Sequence, residues 1–326
     1  VKVLITGSSG FLGSYMVQEF VDNGHVVIGV DLEKVVSVWD YWNSNGSNFI
    51  FVQGNAKNFS LMKELIEGCD VLIANAAKVG GIGYFHLYPY TIIRENELLT
   101  KTAFDAAIWA YRRSSLKKII LISSSMIYES AISFPTKEGD EYFSFPPKSV
   151  YGFQKLTLHF WAKAAYEQYN LPYVIIIPFN AYGIGERIDR VGLKSHLSHV
   201  IPDLIVKIYK SDAPVKILGD GSQIRHFTYA GDIAKAVRLI AESDIVNEEF
   251  NVSYPYGMKI IELAQKIWKK IKSTPLKCEF IKGYPYDVKK RIPDTKKLSE
   301  LIGFVPETKL DDKLEELIKW YTEQIL

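Results

Sequence analysis

Short apolar runs alternate along the chain with longer stretches in which apolar residues recur every three or four positions. Val1, Val3, Leu4 and Ile5 form the first run, too short for a helix and rich in β-branched residues, and read as a buried strand. From Phe11 the apolar residues fall at helical spacing through Tyr15, Val17, Phe20 and Val21, until Asn23-Gly24 stops the helix. Residues 25–30 form a second buried strand that ends in Asp31. The same patterns predict strands at 49–52, Val71–Ala74, Lys118–Ile122 and 173–177, and helices at 61–67, 90–110 and from Tyr151 to about Asn170. Strand and helix in such alternation predict an α/β fold: a Rossmann-type doubly wound parallel sheet.

After Pro172 and the strand that follows it, the alternation loosens. Residues 32–48, with Trp39, Tyr41 and Trp42, read as a surface excursion, and 130–148 as a loop rich in Phe and Pro. Residues 183–198 read as an irregular substrate-side segment. Helices are expected at 200–209, 232–242 (capped by Asp232), Ile260–Ile271 and 310–320, and a short strand at Val215–Leu218 before the turn Gly219-Asp220-Gly221. The expected organisation is a first domain at residues 1–179, to which chain around 215–242 returns, and a smaller α/β substrate-binding domain at 180–326.

Gly7, Gly10 and Gly13 lie between the first strand and the first helix, with Phe11 and Leu12 beside them. The first glycine permits a tight turn, the second lets backbone N–H groups approach a pyrophosphate, and the third lets helix and strand pack closely. Asp31 sits where a carboxylate accepts hydrogen bonds from an adenosine ribose and repels a 2′-phosphate, so the expected cofactor is NAD rather than NADP. Further cofactor candidates follow the later strands: Asn55 and Ala56, then Ala76 and Ala77, then Ser123, joined by Asn96 on the long helix. In an open parallel sheet the carboxyl ends of the strands are where ligands bind.

Ser124, Tyr151 and Lys155 are the catalytic candidates. Tyr151 and Lys155 are four apart on a predicted helix and share a face. A free phenol titrates at about 10 and is a poor base at neutral pH. A nearby ammonium and the positive nicotinamide ring favour the phenolate, while Lys155 also holds the nicotinamide ribose and Ser124 hydrogen-bonds the reacting hydroxyl.

Composition narrows the classes. Of 326 residues, 48% are hydrophobic and 23% charged, as in ordinary soluble proteins, and a net charge of +2 gives no case for nucleic acid or an acidic membrane surface. Cys69 and Cys278 make neither a disulfide framework nor a zinc site. His196 and His199 have no neighbouring cysteine or carboxylate cluster, so no metal is expected. No apolar run is long enough to span a bilayer, and the chain opens on a strand, so cytoplasm is the expected location.

At this point the chain resembles the extended short-chain dehydrogenase/reductases, in particular the NAD-dependent nucleotide-sugar epimerases and dehydratases, over nearly its whole length. The matching stretches are TGSSGFLGS from Thr6, SSSMIY from Ser123, YGFQK from Tyr151, PFNAYG from Pro178, GDGSQIRHFTYAGDIA from Gly219, FNVS from Phe250 and RIPD from Arg291. The resemblance implies a nucleotide-sugar substrate and a homodimer built through a four-helix bundle, with the helices of Asn96 and Tyr151 as the interface. It implies that Asn180 contacts the sugar nucleotide and that Arg225 and Arg291 pair with its diphosphate. Two departures are Asn55, where the family usually has Asp, and Ile177, where many members have Arg.

The family first oxidises the sugar, usually at C4. Dehydratases resemble Thr-Asp-Glu at the positions of Ser124, Ser125 and Met126, and other members carry Glu or Cys at the last of these. Met126 neither donates nor accepts a proton, which leaves hydride return to the opposite face of a 4-keto sugar: NDP-sugar 4-epimerisation. Two segments instead resemble GDP-fucose synthases, from Ala76 to Ile82 and from Ser198 to Pro202. There His199 is either an acid/base group or a helix-start residue, and Lys78 either a substrate contact or a solvated charge. A non-catalytic sensor on the same fold is the reading from another class, and the intact Tyr-Lys pair argues against it.

Overall fold

Val3 and Ile5 point to one face of a sheet and Leu4 to the other, and all three are fully buried. Burial on both faces is why this strand reads as an unbroken apolar run. The computed structural model describes residues 1–34, 48–113, 116–188, 198–210, 212–284 and 287–325. The excursion expected at 32–48 lies outside these residues except at its ends, as do residues 189–197 of the irregular segment.

Six strands follow the predicted order: β1 (Lys2–Thr6), β2 (Val26–Asp31), β3 (Phe49–Gln53), β4 (Val71–Ala74), β5 (Lys118–Ile122) and β6 (Tyr173–Pro178). A seventh, Glu248–Val252, joins them. The sheet runs Glu248–Val252, β6, β5, β4, β1, β2, β3, with every pair parallel. Helix α1 (Phe11–Asp22) and the helix Ala230–Glu242 pack together over one face. The helices Phe59–Ile66, Pro89–Tyr111 and Val150–Tyr169 cover the other. This is the doubly wound Rossmann architecture expected from the alternation.

The later chain departs from expectation in three places. Val215–Leu218 does not return to the large sheet; it pairs with Cys278–Ile281. Ala230–Glu242, inside the expected 215–242, does return, and Glu248–Val252, beyond it, returns as well and runs beside β6. Asp232 does not cap its helix, which starts at Ala230; its carboxylate accepts from the Thr308 N–H at 2.9 Å and from the Thr308 hydroxyl at 2.8 Å. Lys118, buried at the start of β5, fastens the end of that helix by donating to the carbonyls of Ile240, Ser243 and Ile245.

The loop at 130–148 is sewn to the chain around Arg291 by Asn251. Its amide donates to Thr136 O at 3.1 Å and Asp294 O at 3.0 Å, its carbonyl accepts from the Tyr128 hydroxyl, and its N–H donates to Glu138. The FNVS stretch therefore joins that loop to the chain just after Arg291.

Candidate functional site

At the carboxyl end of β1 the backbone turns under strict steric limits. Gly7 has φ +70°, and a Cβ there would stand 2.8 Å from Ala76 Cα. A Cβ on Gly13 would stand 1.9 Å from the Gly7 carbonyl oxygen. Neither position accepts a side chain without moving backbone. Gly10 caps α1, and no side chain occupies the first N–H groups of that helix. Ser8 and Ser9 are buried, and their hydroxyls have no partner among the described residues. Open donors at a loop this close to Ala76 suit a diphosphate. Phe11 and Leu12, half-buried on the first turn, pack against the core.

Asp31 Oδ2 accepts from the Ser9 N–H at 2.9 Å, and Oδ1 from the Leu32 N–H at 2.7 Å. The carboxylate is fixed against the glycine loop, with lone pairs left over for ribose hydroxyls. Asn55 is exposed and closes a turn onto the Lys57 N–H; Ala56 beside it is buried. A cleft lined by Thr6, Ala76, Ala77, Asn96, Gln154 and Lys155 continues from here. These residues fit NAD: a cradle only glycine allows, unpartnered buried hydroxyls and a placed acid. Asn96 lines the cleft, but its amide is engaged elsewhere. It accepts from the Lys78 N–H at 2.6 Å and donates to Lys78 O and Gln154 Oε1, so it shapes the loop after β4. The Lys78 side chain is exposed.

Ser124, Tyr151 and Lys155 converge at the end of β5. Ser124 caps the short turn Ser125–Tyr128, accepting from the Met126 N–H at 3.2 Å, and its hydroxyl favours the Tyr151 phenolate. Ser125 and Met126 are buried, and Met126 joins Tyr84, Ile92 and Tyr151 in an apolar cluster. Lys155 Nζ donates to Ile122 O at 2.8 Å and lies 6.0 Å from the Tyr151 ring centroid. Burial pushes the Tyr151 phenol up to about 12, against the opposing pull of Ser124 and the Arg291 guanidinium. Burial also pulls Lys155 down to about 8. The expected lowering of Tyr151 by Lys155 is therefore not a property of the protein alone. The ammonium faces a strand carbonyl, and Arg291 is the cation that favours the phenolate. Ser123 also differs from expectation: its hydroxyl turns inward, 2.9 Å from His159 Nε2.

Arg225 pairs with Asp287, and the charges of Arg225, Asp287 and Glu129 all act on Arg291. Arg225 Nη2 donates to Asp287 Oδ1 at 2.9 Å. Arg291 Nε is buried without a partner among the described residues, and burial first and Arg225 next pull this guanidinium down to about 9. Two close cations and an orphaned donor suit an anion with several oxygens. Asn180 sits beside them in the left-handed region, φ +37°, with its amide donating to His226 O at 3.1 Å. His199 Nδ1 and its own N–H both face Glu186 Oε1. Burial works against the imidazolium, but the Glu186 charge and hydrogen bond, with the Gly80 carbonyl, raise the His199 pKa.

A sequence profile described as the NAD dependent epimerase/dehydratase family matches residues 3–253. This chain belongs to that family. Among its epimerase/dehydratase relatives is the UDP-N-acetyl-alpha-D-glucosaminuronate decarboxylase of Bacillus cytotoxicus, 28% identical, with 99% of this chain and 98% of the relative covered. A solved UDP-N-acetylglucosamine 4-epimerase from Methanobrevibacter ruminantium, in complex with UDP-N-acetylmuramic acid, superposes with a TM-score of 0.85 at 28% identity, covering 99% and 98% of the two chains. The UDP-glucuronic acid 4-epimerase of Bacillus cereus, solved with UDP-glucuronic acid and NAD, gives a TM-score of 0.84 at 25% identity, covering 99% and 100%. The cofactor of this epimerase/dehydratase family is NAD, as expected from Asp31. Among the described residues no helix is long and apolar enough to cross a membrane.

Sequence reasoning missed four residues of the site. Asp287 and Glu186 are the acids that hold Arg225 and His199. Gln154 completes the Asn96 contact, and Phe85, on the short helix Ile82–Leu87, covers Tyr151. Gln154 lay inside the YGFQK stretch and Glu186 inside the irregular segment 183–198, but nothing in either marked the residue; Asp287 lies just before the RIPD stretch.

Proposed function

We propose that this chain is an NAD-dependent nucleotide-sugar 4-epimerase, of UDP-glucose 4-epimerase type, that acts on a UDP- or GDP-hexose through a transient 4-keto sugar. The supporting observation is the surroundings of Tyr151: the Ser124 hydroxyl favours its phenolate, and its apolar neighbour is Met126, which has no proton to exchange. Bound NAD supplies the hydride acceptor. Tyr151 takes the proton of the sugar hydroxyl and later returns it, Ser124 holds that hydroxyl in line, and with NAD bound the Lys155 ammonium joins Arg291 in favouring the phenolate and holds a ribose. The glycine loop, Asp31 and the Ala76-Ala77 backbone hold the dinucleotide. Asn180, Arg225 and Arg291 hold the substrate diphosphate, and Lys78 and His199 edge the sugar.

Two copies associate through the helices Pro89–Tyr111 and Val150–Tyr169, which expose Tyr90, Leu98, Phe153 and Phe160, to form a four-helix bundle. Two unpaired thiols suit the cytoplasm.

The test is a panel of UDP- and GDP-hexoses incubated with protein whose bound dinucleotide has been assayed, with products read by NMR. One sugar is expected to equilibrate with its C4 epimer without net consumption of cofactor; no conversion across the panel overturns the reading. The second reading is a GDP-fucose-synthase-like epimerase/reductase, favoured by the Glu186-held His199 beside Gly80 and Arg291. Under it, solvent deuterium enters the sugar ring, and His199→Gln abolishes that exchange. A non-catalytic sensor would leave bound NAD oxidised with every sugar.

A further inference from the structure

Behind the catalytic helix, three ionisable side chains from distant parts of the chain meet in the interior. Glu141 lies in the turn Asp140–Tyr142 of the Phe- and Pro-rich loop, His159 on the helix Val150–Tyr169 one turn past Lys155, and Glu249 on the strand Glu248–Val252. Their exposures are 3%, 0% and 8%. His159 Nδ1 lies 3.4 Å from Glu141 Oε1 and 3.4 Å from Glu249 Oε1, and the three donor atoms fall within 4.8 Å of one another. Glu141 Oε1 and Glu249 Oε2 are fully enclosed and accept no hydrogen bond from any described residue. Carboxylates buried with open lone pairs are costly unless a positive charge sits among them.

We propose that Glu141, His159 and Glu249 form a binding site for one zinc-type divalent cation. Donors at these spacings place their common centre about 2 Å from each, the length of Zn–N and Zn–O bonds. The charge balances as well: a neutral imidazole, two carboxylates and a divalent ion sum to zero. His159 Nε2 lies 2.9 Å from Ser123 Oγ. With Nε2–H donating to that hydroxyl, Nδ1 presents its lone pair to the two acids, the arrangement usual for a metal-bound histidine. The Tyr142 hydroxyl donates to Glu249 Oε1 at 2.6 Å and orients that carboxylate. One imidazole and two carboxylates, with a fourth position for water, is a donor set that zinc accepts.

The ion's role is positioning. It ties the loop, the catalytic helix and the seventh strand to one point, and through Ser123 it steadies the residue next to Ser124. It touches neither Tyr151 nor a sugar, so it is independent of the substrate assigned above.

The test uses the full chain, stripped with a chelator and dialysed against Zn(II). One retained ion per chain is expected by mass spectrometry, with a higher Tm than the stripped protein. Glu141→Gln keeps the side-chain size and removes the charge; it is expected to lose the ion while keeping its NAD. Co(II) added to the parent protein is expected to give the visible bands of a four-coordinate site, a readout that needs no variant. A parent that retains no Zn(II) and shows no Co(II) bands overturns the proposal and leaves a proton shared by the two acids as the neutralising charge. Equal retention by parent and Glu141→Gln also overturns it, since the ion then sits elsewhere.

Discussion

Phe85 lies flat against Tyr151, with ring centroids 4.3 Å apart and planes 7° from parallel. The stack covers one face of the phenol and adds to the burial that holds it at about 12. Phe85→Ala opens that face to water. Desolvation disfavours the phenolate, so relieving it lowers the Tyr151 pKa. The acid limb of kcat/KM against pH is expected to move to lower pH in this variant, with bound NAD unchanged. A limb that stays in place shows that the stack does not set the basicity of Tyr151.

Lys155 gives a stability prediction with a definite sign. Its folded-state pKa is about 8, against 10.5 for the free side chain. Between those values the unfolded chain holds a proton that the folded chain lacks, so stability from this group rises with pH across the window. Below pH 8 the full cost of the buried ammonium is present. Lys155→Met removes it, so the cofactor-free variant is expected to be more stable than the parent at neutral pH. At 1.36 kcal/mol per unit the ceiling is about 3 kcal/mol. Urea unfolding of both proteins across pH checks this, and the gap is expected to shrink toward pH 10.5.

The closeness of Arg225 and Arg291 predicts where diphosphate affinity resides. Arg291→Met takes away charged hydrogen bonds worth about 1.5–3 kcal/mol, or roughly 10- to 150-fold in UDP affinity. Calorimetric titration with UDP and with uridine checks it, since uridine lacks the phosphates and is expected to lose little. The ligand-free variant is expected to melt no lower than the parent, because one of two close like charges has been removed.

Phe153 and Phe160 stand 44% and 56% exposed on the helix Val150–Tyr169. Replacing both with Glu puts charge into the proposed dimer face. Sedimentation is expected to show monomer for Phe153→Glu/Phe160→Glu and dimer for the parent. A parent that is monomeric at all concentrations removes the four-helix bundle.

What could be read from the chain was what local chemistry dictates. Gly7, Gly10 and Gly13 sit within one turn of backbone, and their steric reason lies in Ala76 and in one another. β1 announces itself because both its faces are buried. The seventh strand was hidden because Glu248 and Glu249 open it, and what makes them tolerable lies far away: Lys297 pairs with Glu248, and the Tyr142 hydroxyl with Glu249. Asn96 and Ser123 were read as facing a cofactor from their places in the pattern. Side-chain direction, set by Lys78, Gln154 and His159, turned their polar atoms elsewhere. Phe85 carried no signal at all, since an aromatic residue in a loop looks like any other until its partner is known.

The parallel pairing of Glu248–Val252 on β6 has a consequence for how the molecule can be divided. A fragment ending at Phe179 would leave β6 as a raw edge, with unpaired N–H and C=O groups along an apolar strand, and would strip α1 of the helix that covers it. The large sheet is not complete within residues 1–179. Its last stave is supplied only after the chain has gone out and come back, so both halves must be made before either is finished.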